Sequence, residues 1–470
     1  MIMTSSSKSR NSTIKLVISE GLIVAGLTYL AALILQWLYL YDTANTSGTL
    51  INIVLYTLSV VTINLSVGLY EQRLREPFRG IIRRLFVSAI VSYFITELLA
   101  SVFFDDTSEH YLHALFSVTL IILGLVTFRY FVHNTESFST RPNIIVLGAG
   151  VRASVIEKRM RREVDRHNFN LLSFIPMPGD QIDAGIVDEA ISHMDVENEL
   201  EQYIVENDVS EIVIANDQRR GTLPINVLFN ARLKGVRVTD LLDFIERELG
   251  QILVDMMYPS WVIYSNGFKS PQIFRTVADY WINVALAIIL LLIVWPFMAL
   301  TALIIYIDDG YRTGAGVLYK QQRVGKDGRL FNILKFRSMR PDAEKDGAKW
   351  ASKNDNRVTA IGAFIRKFRL DELPQLLNIL KGEMSFIGPR PERPQFVEQL
   401  IKEIPYYDQR HNVKPGLAGW AQLNYPYGAS VKDSLEKLKF DLYYVKHQSL
   451  LLDLLILVRT VEIVLFGKGR

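Results

Sequence analysis

The sequence predicts a membrane protein of mixed class: a four-helix transmembrane bundle, then a parallel α/β domain, then a mostly α-helical domain held to the bilayer by a proline-kinked re-entrant helix. Three observations predict it. Four apolar runs, at about 16–41, 50–69, 85–104 and 111–132, fill the first third of the chain. Short strands alternating with helical stretches follow over 136–255, starting at a glycine turn. The remainder is basic and is introduced by a fifth apolar run, 278–307, with Pro296 in its middle.

At 470 residues, two or three folded units are expected. There is no cysteine, which excludes disulfides, thiolate nucleophiles and cysteine-ligated metal sites. The net charge of +3 hides an asymmetry: residues 308–470 carry 28 Lys+Arg against 19 Asp+Glu, and residues 134–250 carry 13 against 20. A basic C-terminal part expects phosphates, lipid headgroups or nucleic acid as partners. The first apolar run is too long for a signal-peptide core and no small-residue cleavage site follows it, so no cleavable signal is expected.

Each of the first four runs is long enough to cross a hydrocarbon layer of roughly 30 Å at about 1.5 Å per helical residue, giving a transmembrane unit over 1–135. The segment after the second run holds Arg73, Arg75, Arg79, Arg83 and Arg84, and the N-terminus holds Lys8, Arg10 and Lys15. The other two connections lack Lys and Arg, so the positive-inside rule puts both ends of this unit in the cytoplasm. Glu20 and Glu97 lie within the runs. Glu20, near a helix end, is expected to reach the interface, and Glu97 to pack between helices.

Next, a strand from Asn143 to Leu147 runs into Gly148-Ala149-Gly150 and a helix, with more strands at "LLSFIP" and "EIVIAN". This reads as a Rossmann-like domain with a parallel sheet of about five strands. The turn is a weak dinucleotide fingerprint. Ala153 takes the third glycine's place, and Pro176 stands where an acid for a ribose hydroxyl is expected. A packing role for the glycines is favoured over a bound nucleotide. A linker, 256–277, leads on.

In the fifth run, Pro296 removes a backbone donor and clashes with the turn before it, so a bend is expected there. The arm from Trp281 to Trp295 is roughly 22 Å of helix, shorter than the hydrocarbon layer. A kinked spanning helix and a re-entrant hairpin both fit. Basic flanks on both sides (Lys269 and Arg275, then Arg312, Lys320 and Arg323) favour the hairpin, because a spanning helix would export the basic domain.

Residues 308–470 form the last domain. "VLYKQQRVGKDGRLFNILKFRSM" reads as a hairpin around Lys326-Asp327-Gly328, with Phe331, Ile333, Lys335 and Arg337 on one face. The final apolar run contains Asp453, Arg459 and Glu462 and is expected to dock or lie at an interface. Between them, "FRLDELPQLLNILKGEMSFIGPRPE" places Asp371 and Glu372 before a helical run. A bland explanation is available: Asp371 as helix cap, Glu372 and Pro374 in the first turn. The company argues otherwise. Arg366, Arg369, Arg390 and Arg393 lie within 22 residues of Asp371, with Lys335, Arg337 and Arg357 upstream. Guanidinium forks match phosphate oxygens, and Pro389 and Pro391 would fix the aim of Arg390. Phosphoryl transfer needs charge neutralisation, a metal and an in-line nucleophile. At a positive helix end Asp371 is expected to stay ionised, as Mg²⁺ ligand or nucleophile, with Glu372 as ligand or base. No Walker motif is present, which disfavours a kinase or ATPase.

On the motifs "KQQRVGKDGRLFNILKFRSM", "NDNRVTAIGAFIRKFRLDELPQLLNILKGEMSFIGPRPE", "VKPGLAGWAQLN" and "DLYYVKHQSLLLD", residues 270–470 resemble the bacterial polyprenyl-phosphate sugar-1-phosphate transferases, in the large form with a four-helix N-terminal unit. The resemblance implies transfer of a sugar-1-phosphate from a UDP-sugar to undecaprenyl phosphate, with release of UMP. It implies that Asp371 attacks the β-phosphorus, that Glu372 assists, that Mg²⁺ binds beside them, and that Arg366 and Arg390 hold phosphate. It further implies a monotopic catalytic domain on the cytoplasmic face of the inner membrane. Arg369 stands where many members have Ser, Glu383 where many have Asp, and Trp295 where Ser is common. A homodimer is expected, with the acidic α/β domain assisting assembly, and no nucleic acid partner. Two other readings compete. A membrane-anchored nucleotide-sugar dehydratase needs a Tyr-x-x-x-Lys pair, and none of the 21 tyrosines has Lys four residues later. A non-catalytic scaffold would tolerate loss of the two acids, and both are present.

Overall fold

The structure, a computed structural model, describes residues 5–38, 46–66, 68–70, 78–103, 108–134, 141–161, 163–166, 169–218, 223–265, 267–268, 273–343, 345, 355–426, 428 and 430–465. They form two compact units, Met1–Leu249 and Gly250–Arg470.

The first unit opens with four long helices, α1 (Ser5–Trp37), α2 (Thr46–Ser66), α3 (Phe78–Phe103) and α4 (Ser108–Asn134). They pack side by side around Val24, Tyr56, Val60, Leu85, Val118 and Ile121. Apolar residues lie on all faces, as they must for helices not surrounded by water. Among the described residues, Ile14–Trp37, His113–Val132 and Arg275–Asp308 are long and apolar enough to cross a membrane; the protein is membrane-associated. The apolar part of α2, Leu50–Leu65, is shorter than the roughly 20 residues a typical span needs. The connections whose charges orient the unit, 41–45, 71–77 with Arg73 and Arg75, and 104–107, lie outside the described residues.

Glu20 departs from expectation. It is fully buried rather than at an interface. It pairs with Arg129 of α4, accepts from the Tyr70 hydroxyl, and lies 3.5 Å from the Asn64 amide. A carboxylate inside an apolar bundle persists only with such partners, and this one sits 109 residues away in sequence. Glu97 does pack between helices, accepting from the Tyr56 hydroxyl at 3.2 Å.

Then come β1 (Asn143–Leu147), α5 (Val151–Arg159), β2 (Asn170–Ile175), α6 (Leu200–Glu206), β3 (Val209–Ile214), α7 (Ile225–Leu233), β4 (Arg237–Asp240) and α8 (Leu241–Leu249). Among the described residues the sheet has four strands, not about five, all parallel in the order β2-β1-β3-β4. Between β2 and α6, Pro176, Pro178, Gly179 and Gly185 remove donors and favour turns, leaving one isolated bridge, Phe174 to Ile191. Ile145, Leu147, Ile175 and Ile212 of the sheet pack on Leu200, Val227 and Leu228 of the helices.

The second unit begins with α9 (Pro259–Tyr264) and α10 (Ile273–Ile305). Helix α10 runs unbroken across Pro296 and loosens only at a π turn, Tyr306–Gly310. Its N-terminal part is pinned where the Asn283 side-chain oxygen accepts from the Ser385 hydroxyl at 3.0 Å and the Phe386 N–H at 2.7 Å. Its C-terminal part packs Met298, Ala302 and Ile305 on Phe336, Ile365 and Leu370. The single turn α11 (Tyr311–Thr313) leads to an antiparallel hairpin of β5 (Leu318–Val324) and β6 (Leu330–Phe336). Its loop turns where expected, with Asp327 at φ 54° and Gly328 at φ 74°. Phe331 and Ile333 are buried, but so are Leu334 and Phe336 from the other face. Strict alternation fails because α10 and its neighbours cover that face too.

The unit is completed by α12 (Ala360–Lys367), α13 (Gln375–Leu380), β7 (Ser385–Ile387), α14 (Pro394–Glu403), β8 (Gly416–Ala418), α15 (Trp420–Asn424), α16 (Val431–His447) and α17 (Leu450–Leu465), with β7 parallel to β8. Helix α17 is docked: Leu455 and Ile456 are buried, and Asp453 accepts from the Tyr444 hydroxyl at 2.7 Å.

Candidate active site

Asp371 and Glu372 lie in a 3-10 turn, Leu370–Glu372, between α12 and α13. Pro374 occupies the position before α13, and no side chain caps that helix. Asp371 is therefore not a helix cap, and the bland explanation fails. The turn is entered through Arg369, a non-glycine residue at φ 58°, a left-handed conformation that costs on the order of 1 kcal/mol. That conformation accompanies an Arg369 guanidinium 3.7 Å from Glu372.

The two acids have different surroundings. Both are only 8 % exposed. The Glu372 carboxylate takes a hydrogen bond from Arg390 at 2.7 Å and lies 3.5 Å from Lys335. Burial alone would raise its pKa, but Arg390, Lys335 and Arg369 together hold it well below the usual carboxylate range. No hydrogen bond or ion pair engages the Asp371 carboxylate among the described residues. Its pKa is pushed up, by burial first and by the neighbouring Glu372 charge second, against weaker pulls from Lys335, Arg366 and Arg390. The helix-end effect expected to lower the Asp371 pKa is outweighed by lost solvation, which raises it. Burial also lowers the Lys335 pKa to about 8.

The sequence-predicted cations divide into groups. Lys335 and Arg390 reach Glu372. Arg366 acts on Asp371 electrostatically. Arg337 sits just past β6, partly buried, its N–H donating to Val317 at 2.9 Å. Arg357 is held by Asp355, its Nε at 2.7 Å and Nη2 at 2.5 Å from the two carboxylate oxygens. Arg369 joins the cluster although only its proximity in sequence hinted at it. Arg410, buried, and Arg323, half-buried, lie against the 388–392 loop, a contact with no signal in the sequence, where a buried arginine looks like a surface one. Arg323, one of the basic residues that follow the fifth apolar run, donates from its Nη1 to the Pro391 carbonyl at 3.0 Å.

Beside the acid turn lies an apolar groove of about 500 Å³, lined by Phe297, Leu300 and Ile304 of α10 and by Ile361, Phe364 and Leu370. Leu370 directly precedes Asp371.

The glycine turn of the first unit is built differently. Gly148, at φ 129°, leaves room for the Ala215 backbone, which a Cβ would meet at 2.6 Å. The N–H groups of Val151 and Arg152, which open α5, both donate to the Asp217 carboxylate at 3.0 Å. Asp180 accepts from Ala149 and Met177, each at 3.1 Å. A Cβ on Gly150 would lie 2.0 Å from Asp217. The donors that a pyrophosphate would use are already paired with the chain's own carboxylates. The preference for a packing role over a bound nucleotide agrees with that geometry.

The family match of the chain falls on the second unit. Residues 274–467 match the family model described as bacterial sugar transferase. The chain is 46 % identical over 187 residues to a UDP-N-acetylgalactosamine-undecaprenyl-phosphate N-acetylgalactosaminephosphotransferase of Aeromonas hydrophila, covering 40 % of this chain and 43 % of that one. It is 37 % identical over 259 residues to a UDP-glucose:undecaprenyl-phosphate glucose-1-phosphate transferase of Xanthomonas campestris pv. campestris, covering 53 % and 50 %. It is 39 % identical over 189 residues to the exopolysaccharide production protein PSS of Rhizobium leguminosarum bv. phaseoli, covering 38 % of this chain and 91 % of that one. The matched part thus spans half or less of the Aeromonas and Xanthomonas relatives.

Proposed function

The chain belongs to the bacterial sugar transferase family, and from that premise we propose that it moves a sugar-1-phosphate from a UDP-sugar to undecaprenyl phosphate, releasing UMP and leaving a polyprenyl-diphospho-sugar. The single observation that carries the reading is the unequal pair: one buried carboxylate paired with three cations, beside another that no hydrogen bond or ion pair engages among the described residues.

The division of labour follows. Glu372 holds Lys335, Arg369 and Arg390 in one place, a cluster of positive charge suited to an incoming diphosphate. Asp371, poorly solvated and unbonded, is the nucleophile. Its oxygen forms a bond to the β-phosphorus as the bond to the bridging oxygen breaks, and UMP leaves with that electron pair. An oxygen of the lipid phosphate then attacks the same phosphorus and the aspartate leaves unchanged. No group of three or more His, Cys, Asp or Glu that would cage a metal occurs among the described residues. A site of one buried carboxylate plus substrate phosphates suits Mg²⁺, which keeps most of its waters. Asp371 would hold it, and its charge would neutralise pyrophosphate oxygens.

The apolar groove ending at Leu370 suits the first isoprene units of the acceptor. Re-entry of α10 is supported by its two ends. Asn283 and Ile305, about 33 Å apart on a straight helix, both bind the same compact unit, whereas a full crossing of roughly 30 Å of hydrocarbon would carry them to opposite faces. With re-entry, the acids sit at headgroup level on the cytoplasmic face of the inner membrane, α1–α4 form a transmembrane bundle, and the α/β domain assists a homodimer. The dehydratase alternative requires a bound dinucleotide, and at the glycine turn the Ala149, Val151 and Arg152 N–H groups are paired with the chain's own carboxylates.

The test is UMP release by the purified protein over a panel of UDP-sugars with undecaprenyl phosphate and Mg²⁺. At least one sugar should support turnover that Asp371→Asn abolishes. No release with any sugar, or full release by the variant, contradicts the reading.

A further inference from the structure

The loop Gly388-Pro389-Arg390-Pro391-Glu392 cannot satisfy its own backbone. Two prolines remove N–H donors and bar helix or ladder formation, so its carbonyls need donors from elsewhere. The structure supplies one to each of four in succession. Pro389 accepts from the Gly416 N–H at 3.0 Å and Glu392 from the Val324 N–H at 3.0 Å. Arg390 accepts from Arg410 Nη2 at 2.9 Å, and Pro391 from Arg323 Nη1 at 3.0 Å. Arg410 is only 5 % exposed. Its Nε and Nη2 donate to Asp441 Oδ2 at 3.1 and 2.7 Å, and its Nη1 to the Tyr407 hydroxyl at 3.1 Å. Asp441 is 2 % exposed. The Arg410 guanidinium is therefore committed on three sides to protein groups and faces no substrate.

We propose that Arg410, anchored by Asp441, is a positioning residue that fixes the backbone of Arg390 and thereby the guanidinium Arg390 holds against Glu372 and the diphosphate. Arg323 grips the next carbonyl and steadies the same loop. A lysine keeps the charge of Arg410 but cannot reach Asp441, Tyr407 and the Arg390 carbonyl together. This inference rests on the proposed phosphate role of Arg390, and its test separates the two.

The test compares full-length wild type, Arg410→Lys, Arg390→Ala and the double variant in UMP release, alongside hydrogen–deuterium exchange of the peptide spanning 386–396. Arg410→Lys is expected to lower kcat by about 10- to 100-fold in the wild-type background and by less than about twofold when Arg390 is already Ala. Exchange should rise in the 386–396 peptide and stay unchanged in one covering α12. Equal losses in both backgrounds, or exchange rising throughout the unit, overturn the proposal. If Arg410→Lys does not fold, Asp441→Asn, which keeps the shape and drops the anchor's charge, is read by the same criteria. If wild type releases no UMP from any sugar, the proposed function fails, and the exchange experiment alone still decides whether Arg410 holds the loop.

Discussion

The glycine turn at 148–150 and the acid turn at 370–372 are both places where a chain gathers groups suited to an anion, and they come to opposite ends. At the glycine turn, Asp217 and Asp180 consume the exposed N–H groups. At the acid turn, one carboxylate, Glu372, gathers three cations whose donors outnumber its lone pairs. The first pairs helix-opening N–H groups with the chain's own carboxylates, and the second concentrates positive charge around one acid beside another that no hydrogen bond or ion pair engages among the described residues.

The comparison breaks most readily at Asp371. Asp371→Asn should lower UMP release by at least about a thousandfold, since it removes the nucleophile. Because burial disfavours the ionised form in the fold, the same change should leave the melting temperature equal or higher at pH 7. A fall of several degrees would show that Asp371 is structurally engaged after all.

Glu372→Gln should behave the other way in stability. The Glu372 pKa is depressed on folding, so its stabilisation is present above its unfolded pKa and is lost as pH falls through the lower folded value. At pH 7 the variant should be destabilised by about 2 kcal/mol, discounted for the partial exposure of Arg390 and Arg369. The gap should narrow as the solution is acidified through that window, which denaturant melts at several pH values would show.

A smaller effect sharpens the electrostatic half. Lys335 loses its proton near pH 8, so kcat/KM should fall as pH rises through about 8. Lys335→Arg should move that descending limb upward. Stability has the opposite sign, because the unfolded chain holds this proton up to its ordinary value of 10.5 and the fold releases it earlier, so the penalty that buried Lys335 places on folding is relieved as pH rises from about 8 to 10.5.

The smallest effect belongs to the glycine turn. Asp217→Ala should cost about 1 kcal/mol through the lost cap on α5 and leave UMP release within about twofold. Measurable dinucleotide binding by the wild-type protein in calorimetry would undo the contrast between the two turns.

Much of this was legible before the structure. The strand at Asn143–Leu147 and the turn at Lys326-Asp327-Gly328 follow from local patterns, and local chemistry decides them. What was not legible is the choice of partner across long separations. Nothing near Glu20 announces Arg129, and nothing near Arg390 announces Arg410. Sequence also cannot tell a guanidinium facing a ligand from one spent on Asp355 or Asp441, since both read as one more basic residue. The fifth strand failed for a local reason that was available, a run of Pro and Gly after β2.

The most direct measurement is to mix the protein with an active UDP-sugar in the absence of lipid acceptor, quench, and examine its peptides by mass spectrometry. One UMP should appear per chain in a single burst, with a sugar-phosphate mass added to the peptide containing Asp371 and absent from Asp371→Asn. A modification on a different residue, or a burst of the same size from the variant, would contradict the assignment of Asp371 as the attacking group.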